Sequence, residues 1–219
     1  MTATTESDRV RVALVDDHSM VREALALILE SDERFEIVGQ GGDRHDAVRI
    51  TTELQPDVLV LDYAMPGGGA LLAIEDITRE GIQTRILVLT VHKSIHYAVR
   101  VLEVGAHGFL VKSSAVEELV EAIRVVQEGD IYITPQLSSR VLNHLLLPKR
   151  ERVGIDALSI REFEILRILG SGTGLKEAAS ELNISTSTAS TYRGRLMKKL
   201  GLTTTAELIR YALEQGVAR

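Results

Sequence analysis

Three carboxylates, a hydroxyl and an ammonium stand in this chain at the ends of short apolar runs. Val12–Val15 stops at Asp16 and Asp17, Val58–Leu61 at Asp62, Ile86–Leu89 at Thr90, and Phe109–Val111 at Lys112. These are the groups that phosphoryl chemistry uses. Two unit charges about 4 Å apart repel by roughly 4 kcal/mol at an effective dielectric of about 20, so clustered carboxylates need a cation to stay ionised. Mg2+ suits them, being hard and oxygen-seeking and content with one or two carboxylates plus a phosphate oxygen. Lys112 and Thr90 would neutralise and hydrogen-bond the remaining phosphoryl oxygens. Asp62, the lone acid ending its run, is the candidate nucleophile.

Residues so far apart in sequence meet only if the runs are parallel strands whose carboxyl ends share one sheet edge. The spacing supports this. Apolar runs begin near Val12, Phe35, Val58, Ile86 and Phe109, with amphipathic stretches between them. That is the rhythm of strand-helix units. Val21–Leu29 has helical spacing, Gly105 follows a helical stretch at Tyr97–Val104, and Ser114–Glu117 reads as a capping box opening a helix that Gly129 closes. Right-handed crossovers then give an α/β fold, a doubly wound five-stranded parallel sheet between helices, whose strand order periodicity does not supply.

The 219 residues, 45% of them hydrophobic, suffice for two domains with cores. The net charge of −6 is unevenly spread. Residues 156–219 hold nine Lys and Arg against seven Asp and Glu, a net of +2 that leaves −8 on residues 1–155. From Asp156 onward only helical segments appear. Ser159–Glu162 is a capping box before Phe163–Leu169, and Leu175–Leu182 follows a glycine-rich turn. Ser187–Leu200 carries Arg193, Arg195, Lys198 and Lys199 without an acid and stops at Gly201; Thr204–Glu207 is a box opening the last helix, to Gln215. The expected organisation is a domain over 1–133, a linker over 134–155 that includes a helical stretch to Leu147, and an all-α four-helix domain over 156–219. The absence of cysteine excludes disulfides and thiolate-metal sites. Met1–Arg9 is polar, and no stretch approaches the roughly 20 apolar residues of a membrane span, so a cytoplasmic protein without membrane partners is expected.

From about Val10 to Gly129 the chain resembles the receiver domain of bacterial two-component response regulators. The resemblance rests on Val15-Asp16-Asp17-His18, Asp62-Tyr63-Ala64-Met65-Pro66, Leu89-Thr90-Val91-His92 and Gly105-Ala106-His107-Gly108-Phe109-Leu110-Val111-Lys112. It implies that Asp62 accepts a phosphoryl group from a sensor histidine kinase. Asp16, Asp17 and the Ala64 carbonyl, with Asp62, would bind Mg2+; Thr90 and Lys112 would grip the phosphate; Thr90 and Phe109 would form the switch. Two departures stand out. Ala70 falls where the family has the last glycine of its loop, after Gly67-Gly68-Gly69, so that loop should be locally unusual, and the switch aromatic is Phe rather than the commoner Tyr. His92 flanks the path of a hydrolytic water in such a fold, whereas Ala64 could not orient one. His92 and His96 have helical metal spacing but no third ligand.

The carboxyl-terminal part resembles the LuxR-type helix-turn-helix. It matches from Leu158-Ser159-Ile160-Arg161-Glu162 through Lys176-Glu177-Ala178-Ala179 and Leu182-Asn183-Ile184-Ser185 to Lys199-Leu200-Gly201-Leu202. Together the two halves resemble a NarL/FixJ-type response regulator. By that resemblance Ser190, Thr191 and Gly194 face bases, Arg193, Arg195, Lys198 and Lys199 face phosphates, and Thr188 faces either. Double-stranded promoter DNA and a second copy of the chain are the implied partners. Gly194 departs from the long side chain common there. Two rivals remain: an enzyme forming an aspartyl-phosphate, which would ordinarily carry a second Asp at position 64, and a phosphate-independent transcription regulator with a degenerate receiver.

Overall fold

The computed structural model describes residues 9–146, 148 and 152–218. The sequence readings on Met1–Asp8, Leu147 and 149–151 lie outside them. The chain divides into two compact units, one of residues up to 91 with 101–135, the other of 92–100 with 136 onward.

The first unit is built on parallel strands β1 (Val10–Val15), β2 (Phe35–Gly41), β3 (Val58–Asp62), β4 (Arg85–Thr90), β5 (Gly108–Val111) and β6 (Tyr132–Ile133), in the order β2-β1-β3-β4-β5-β6. The interior strands β3 and β5 are buried at every residue, as a sheet covered on both faces requires. Helices α1 (Ser19–Glu30), α2 (Arg44–Leu54), α3 (Gly69–Arg79), α4 (Ile95–Val104) and α5 (Ala115–Gln127) connect the strands. Alternation along the strands sends Val12, Leu14, Val60, Leu89 and Leu110 to one face, against Leu25 and Leu29 of α1 and Leu119, Ile123 and Val126 of α5.

The five expected strands are all present, and the sheet has a sixth. β6 lies in Asp130–Thr134, a stretch that reads as short and extended in the sequence but is too short to mark a member of the sheet; its Tyr132 N–H bonds the His107 carbonyl, and Thr134 N–H bonds that of Phe109. The capping box at Ser114 does not form. A 3-10 turn over Lys112–Ser114 leaves Ser114 at φ −105°, ψ −2°, where its hydroxyl makes no cap bond.

In the second unit, α6 (Pro135–Leu145) precedes α7 (Ile160–Gly170), α8 (Leu175–Glu181), α9 (Thr186–Leu200) and α10 (Thr205–Glu214). The four expected helices after Asp156 are thus in place. Both remaining boxes form in full: Ser159 with Glu162, and Thr204 with Glu207. Most residues of α7 are buried, among them Phe163, Ile165, Leu166, Ile168 and Leu169, and α8, α9 and α10 all pack against it. α10 approaches it closely at Gly170, where a Cβ would strike Ala212 and come within 2.9 Å of the Ala218 Cβ.

Candidate functional site

Strand register decides which residues meet. Val15 pairs with Leu61, so Asp16 and Asp62 emerge side by side from neighbouring strands. Asp62 pairs with Leu89, which places Thr90 one residue beyond it, and Thr90 pairs with Val111, which delivers Lys112 to the same edge. The predicted set therefore converges at the carboxyl ends of β1, β3, β4 and β5.

Lys112 holds the site together. Its Nζ lies 2.6 Å from Asp16 Oδ2 and 2.7 Å from Asp62 Oδ1. Asp16 and Asp62 are 1% and 3% exposed, so their charges have little water to rely on. Burial pushes the Asp62 carboxyl above its ordinary range, the Lys112 ammonium pulls it back, and Asp16 and Asp17 push it further up. Burial alone would lower Lys112, but its bonds to Asp16 and Asp62 outweigh that and raise it. Thr90 is buried at the same edge. Phe109 is fully buried on β5, on the sheet face opposite Leu110.

Asp17 and His18 are exposed, and the His18 Nδ1 lies 2.7 Å from Asp17 Oδ1. Among the described residues, Asp16, Asp17 and His18 can each place one ligand atom within 4.8 Å of the others. Asp62 stands outside this group, bridged to Asp16 by the ammonium. Two carboxylates beside a third give a hard oxygen donor set, which fits Mg2+. Ala64 is exposed, and its N–H donates to Asp62 Oδ2 at 3.2 Å.

The loop after Asp62 is unusual, as its three glycines suggest. Gly67, Gly68 and Gly69 all take positive φ (88°, 107°, 69°), and a Cβ on Gly69 would sit 2.8 Å from the Tyr63 carbonyl oxygen. Arg44, which the sequence reading missed, holds this loop from α2: its Nη1 donates to the Gly67 carbonyl at 3.1 Å, and its Nε and Nη2 donate to Asp76 of α3. Nothing in the sequence around Arg44 announces this, because its partners lie 23 and 32 residues away. His92 and His96 belong to the second unit. There His92 stacks on Tyr97, ring centroids 4.2 Å apart, and His96 Nδ1 lies 2.8 Å from Asp156 Oδ1.

In the second unit, α9 is capped by Ser185, whose Oγ accepts the Thr188 N–H at 3.0 Å and bonds the hydroxyls of Ser187 and Thr188. Ala189, Leu196 and Met197 form its buried side. Ser190, Thr191, Gly194, Arg195 and Lys198 are exposed, and Thr188 and Arg193 are half-buried. Arg193 Nη2 donates to Thr205 Oγ1 at 2.9 Å. Lys199 is occupied from within: its Nζ lies 2.7 Å from Glu162 Oε2 and 3.2 Å from the Ala157 carbonyl. Burial opposes the Glu162 charge, but Lys199 and Ser159 outweigh it and hold the carboxyl below its usual range.

Residues 12–124 match the response regulator receiver domain, and residues 156–212 match the bacterial regulatory proteins of the luxR family. The chain is 37% identical over 213 residues, covering 97% of each chain, to the transcriptional regulatory protein MctR of Rhizobium johnstonii. Its fold is similar to that of RcsB from Salmonella enterica serovar Typhimurium bound to promoter rprA with the phosphomimetic BeF3−, at TM-score 0.70 and 26% identity, covering 93% of this chain and 98% of that one. A structure of two RcsB dimers bound to two parallel DNAs matches at TM-score 0.59 and 28% identity over 94% of this chain and 98% of that one.

A receiver followed by a LuxR-type helix-turn-helix defines a class of regulatory protein, not a classical enzyme. The chain belongs to the NarL/FixJ-type response regulators of two-component systems, DNA-binding regulators of transcription.

Proposed function

We propose that Asp62 is the phosphoacceptor of this regulator and that its phosphorylation by a sensor histidine kinase controls dimerisation, promoter binding and transcription. One observation carries the reading: a single ammonium, Lys112, sits within 2.7 Å of carboxylates delivered by two different strands, with Thr90 buried beside them. Buried carboxylates sharing one cation at the carboxyl end of a parallel sheet are the kind of perturbed cluster that functional sites build. In the transfer, an Asp62 oxygen bonds to phosphorus as the phosphorus–nitrogen bond of a phosphohistidine breaks, and the electron pair stays with the imidazole. Lys112 and Thr90 hold the phosphoryl oxygens. Asp16, Asp17, Asp62 and the Ala64 carbonyl would hold Mg2+, which when bound neutralises charge on those oxygens. The domain catalyses only its own phosphorylation and dephosphorylation.

Phosphorylation adds negative charge beside Thr90 and Lys112, and Phe109 repacks as Thr90 moves. Residues 1–133 act as the receiver, 134–155 as the linker and 156–219 as the DNA-binding domain. On α9, Ser190, Thr191 and Gly194 face bases, Arg193, Arg195 and Lys198 face phosphates, Lys199 joins them only on leaving Glu162, and Thr188 serves either. The RcsB dimers bound to DNA and RcsB bound to a promoter support a homodimer on double-stranded promoter DNA, and such a target puts the protein in the cytoplasm. No helix among the described residues is long and apolar enough to cross a membrane.

Incubation with acetyl phosphate and Mg2+, followed by intact mass, tests the reading. The expected result is one stable phosphoryl adduct, absent in Asp62→Asn. Continuous turnover would favour an enzyme, and an unmodified wild type would favour a phosphate-independent regulator.

A further inference from the structure

The loop between Asp62 and α3 is poorly suited to hold itself in shape. Gly67 and Gly68 in the loop and Gly69 at the start of α3 all take positive φ, a conformation that costs the unfolded chain much freedom, and α3 begins at a glycine cap without a side-chain bond. Its inner limb is tied by backbone bonds: Gly69 N–H to the Met65 carbonyl at 3.1 Å and Ala70 N–H to the Tyr63 carbonyl at 3.0 Å. Its outer limb, at Pro66 and Gly67, is tied by Arg44. The Arg44 backbone N–H donates to the Pro66 carbonyl at 3.3 Å, and its Nη1 donates to the Gly67 carbonyl at 3.1 Å.

Arg44 is itself held at both ends. Asp43 caps α2 by accepting the Asp46 N–H, which fixes Arg44 at the first helical position. The far edge of the guanidinium is fastened to Asp76 Oδ2, at 2.9 Å from Nε and 2.5 Å from Nη2. Asp76 Oδ1 is steadied in turn by Arg79 at 3.3 Å. The ion pair is mostly withdrawn from water, with Arg44 18% and Asp76 25% exposed. A planar guanidinium can bond a carbonyl on one edge and a carboxylate on the other; a lysine cannot.

We infer that Arg44 is a positioning residue for the phosphoacceptor site: it straps the Ala64–Gly68 loop and thereby sets how tightly the site takes its divalent cation, without touching the reacting atoms. This rests on the phosphoacceptor reading above. Asp16, Asp62, Thr90 and Lys112 are placed by strand register and do not depend on the strap. Ala64, the one proposed cation ligand supplied by backbone, lies on the inner limb, two residues before the Pro66 that Arg44 ties, so the strap acts on it through Met65 and Pro66. Releasing the loop lowers the fraction of molecules with that carbonyl in place, and apparent affinity falls in proportion.

The test is Mg2+ titration of the full-length protein by calorimetry without phosphodonor, beside acetyl phosphate phosphorylation at increasing Mg2+. For Arg44→Ala, the Mg2+ dissociation constant and the Mg2+ concentration for half-maximal phosphorylation should both rise roughly tenfold, the low end for losing a group that supports a metal ligand. The limiting rate at saturating Mg2+ should be unchanged, a split that general destabilisation would not produce. Arg44→Lys should resemble Arg44→Ala, and Asp76→Asn, which frees the guanidinium, should shift affinity the same way by less. Should Arg44→Ala fail to fold by circular dichroism, Arg44→Lys and Asp76→Asn carry the test. Unchanged Mg2+ affinity in the folded variants, or a lower limiting rate at unchanged affinity, would overturn the inference. A wild type that binds Mg2+ but is never modified on Asp62 would instead overturn the phosphoacceptor reading.

Discussion

Gly194 sits at the middle of α9, on its exposed side, and among the described residues no heavy atom lies within 4 Å of where its Cβ would be. It is absent from the positive-φ residues, so its backbone is ordinary helix. It caps nothing and admits no close neighbour. Its remaining effect is to weaken the helix through extra freedom in the unfolded chain. Gly194→Ala should therefore stabilise the second unit by about 1 kcal/mol, the host–guest difference between the two residues in a helix interior. For a unit of this size that corresponds to a rise of about 4–8 °C in the midpoint of its thermal transition. Differential scanning calorimetry of the full-length protein reads this directly, because the first unit's transition serves as an internal reference. An unchanged or lower midpoint would refute the claim that position 194 is open and that its glycine has no packing role.

Other perturbations probe the two sites. Lys112→Met leaves Asp16 and Asp62 buried without their cation, and should cost about 3–5 kcal/mol in denaturant unfolding, the range for removing one partner of a buried ion pair; a loss under about 1 kcal/mol would show that the cluster stores little strain. Asp62→Asn should stabilise the protein increasingly as pH rises. The raised carboxyl makes its most favourable contribution below its ordinary 3.8 and loses it as pH climbs through the folded value, a limb the amide lacks. Thermal midpoints of both proteins across that range check it, and parallel curves would refute it. Lys199→Met should destabilise the second unit above the ordinary Glu162 value of 4.5, with the gap closing as pH falls, because a lowered carboxyl loses its contribution on protonation. In DNA binding, Arg195→Met and Lys198→Met should each reduce the magnitude of the salt slope by about 0.9 per protomer, while Lys199→Met should reduce it by less. Equal effects at 198 and 199 would mean that Lys199 leaves Glu162 when DNA arrives.

The strand ends were legible because two signals coincide there: a continuous apolar run and a chemically distinctive residue just past it. The strand order was not, since β2-β1-β3 depends on which way each crossover turns, and the composition of a run is the same in either position. Capping boxes show how far local spacing reaches. Ser114, Ser159 and Thr204 all have Glu three residues on, but only Ser159 (φ −67°, ψ 166°) and Thr204 (φ −122°, ψ 156°) enter their helices from extended backbone. Lys112, which pairs with Asp16 and Asp62, opens a 3-10 turn that leaves Ser114 at φ −105°, ψ −2°, out of the extended conformation. The turn therefore overrides the cap, and the sequence motif records only the spacing.

Charged residues were the hardest to place, because their type says what they can bind and not what reaches them. Lys198 and Lys199 are neighbours on one helix and read identically in sequence. One helical residue is a turn of about 100°, which is enough to leave Lys198 in solvent and bring Lys199 to the carboxylate of Glu162, itself drawn in as the third residue of the α7 capping box. Arg44 follows the same logic across three elements. Its role exists only once α2, α3 and the loop after Asp62 are packed together, and it is there that a glycine-rich loop, tied on its inner limb by its own backbone, has its outer limb fixed by a side chain outside it.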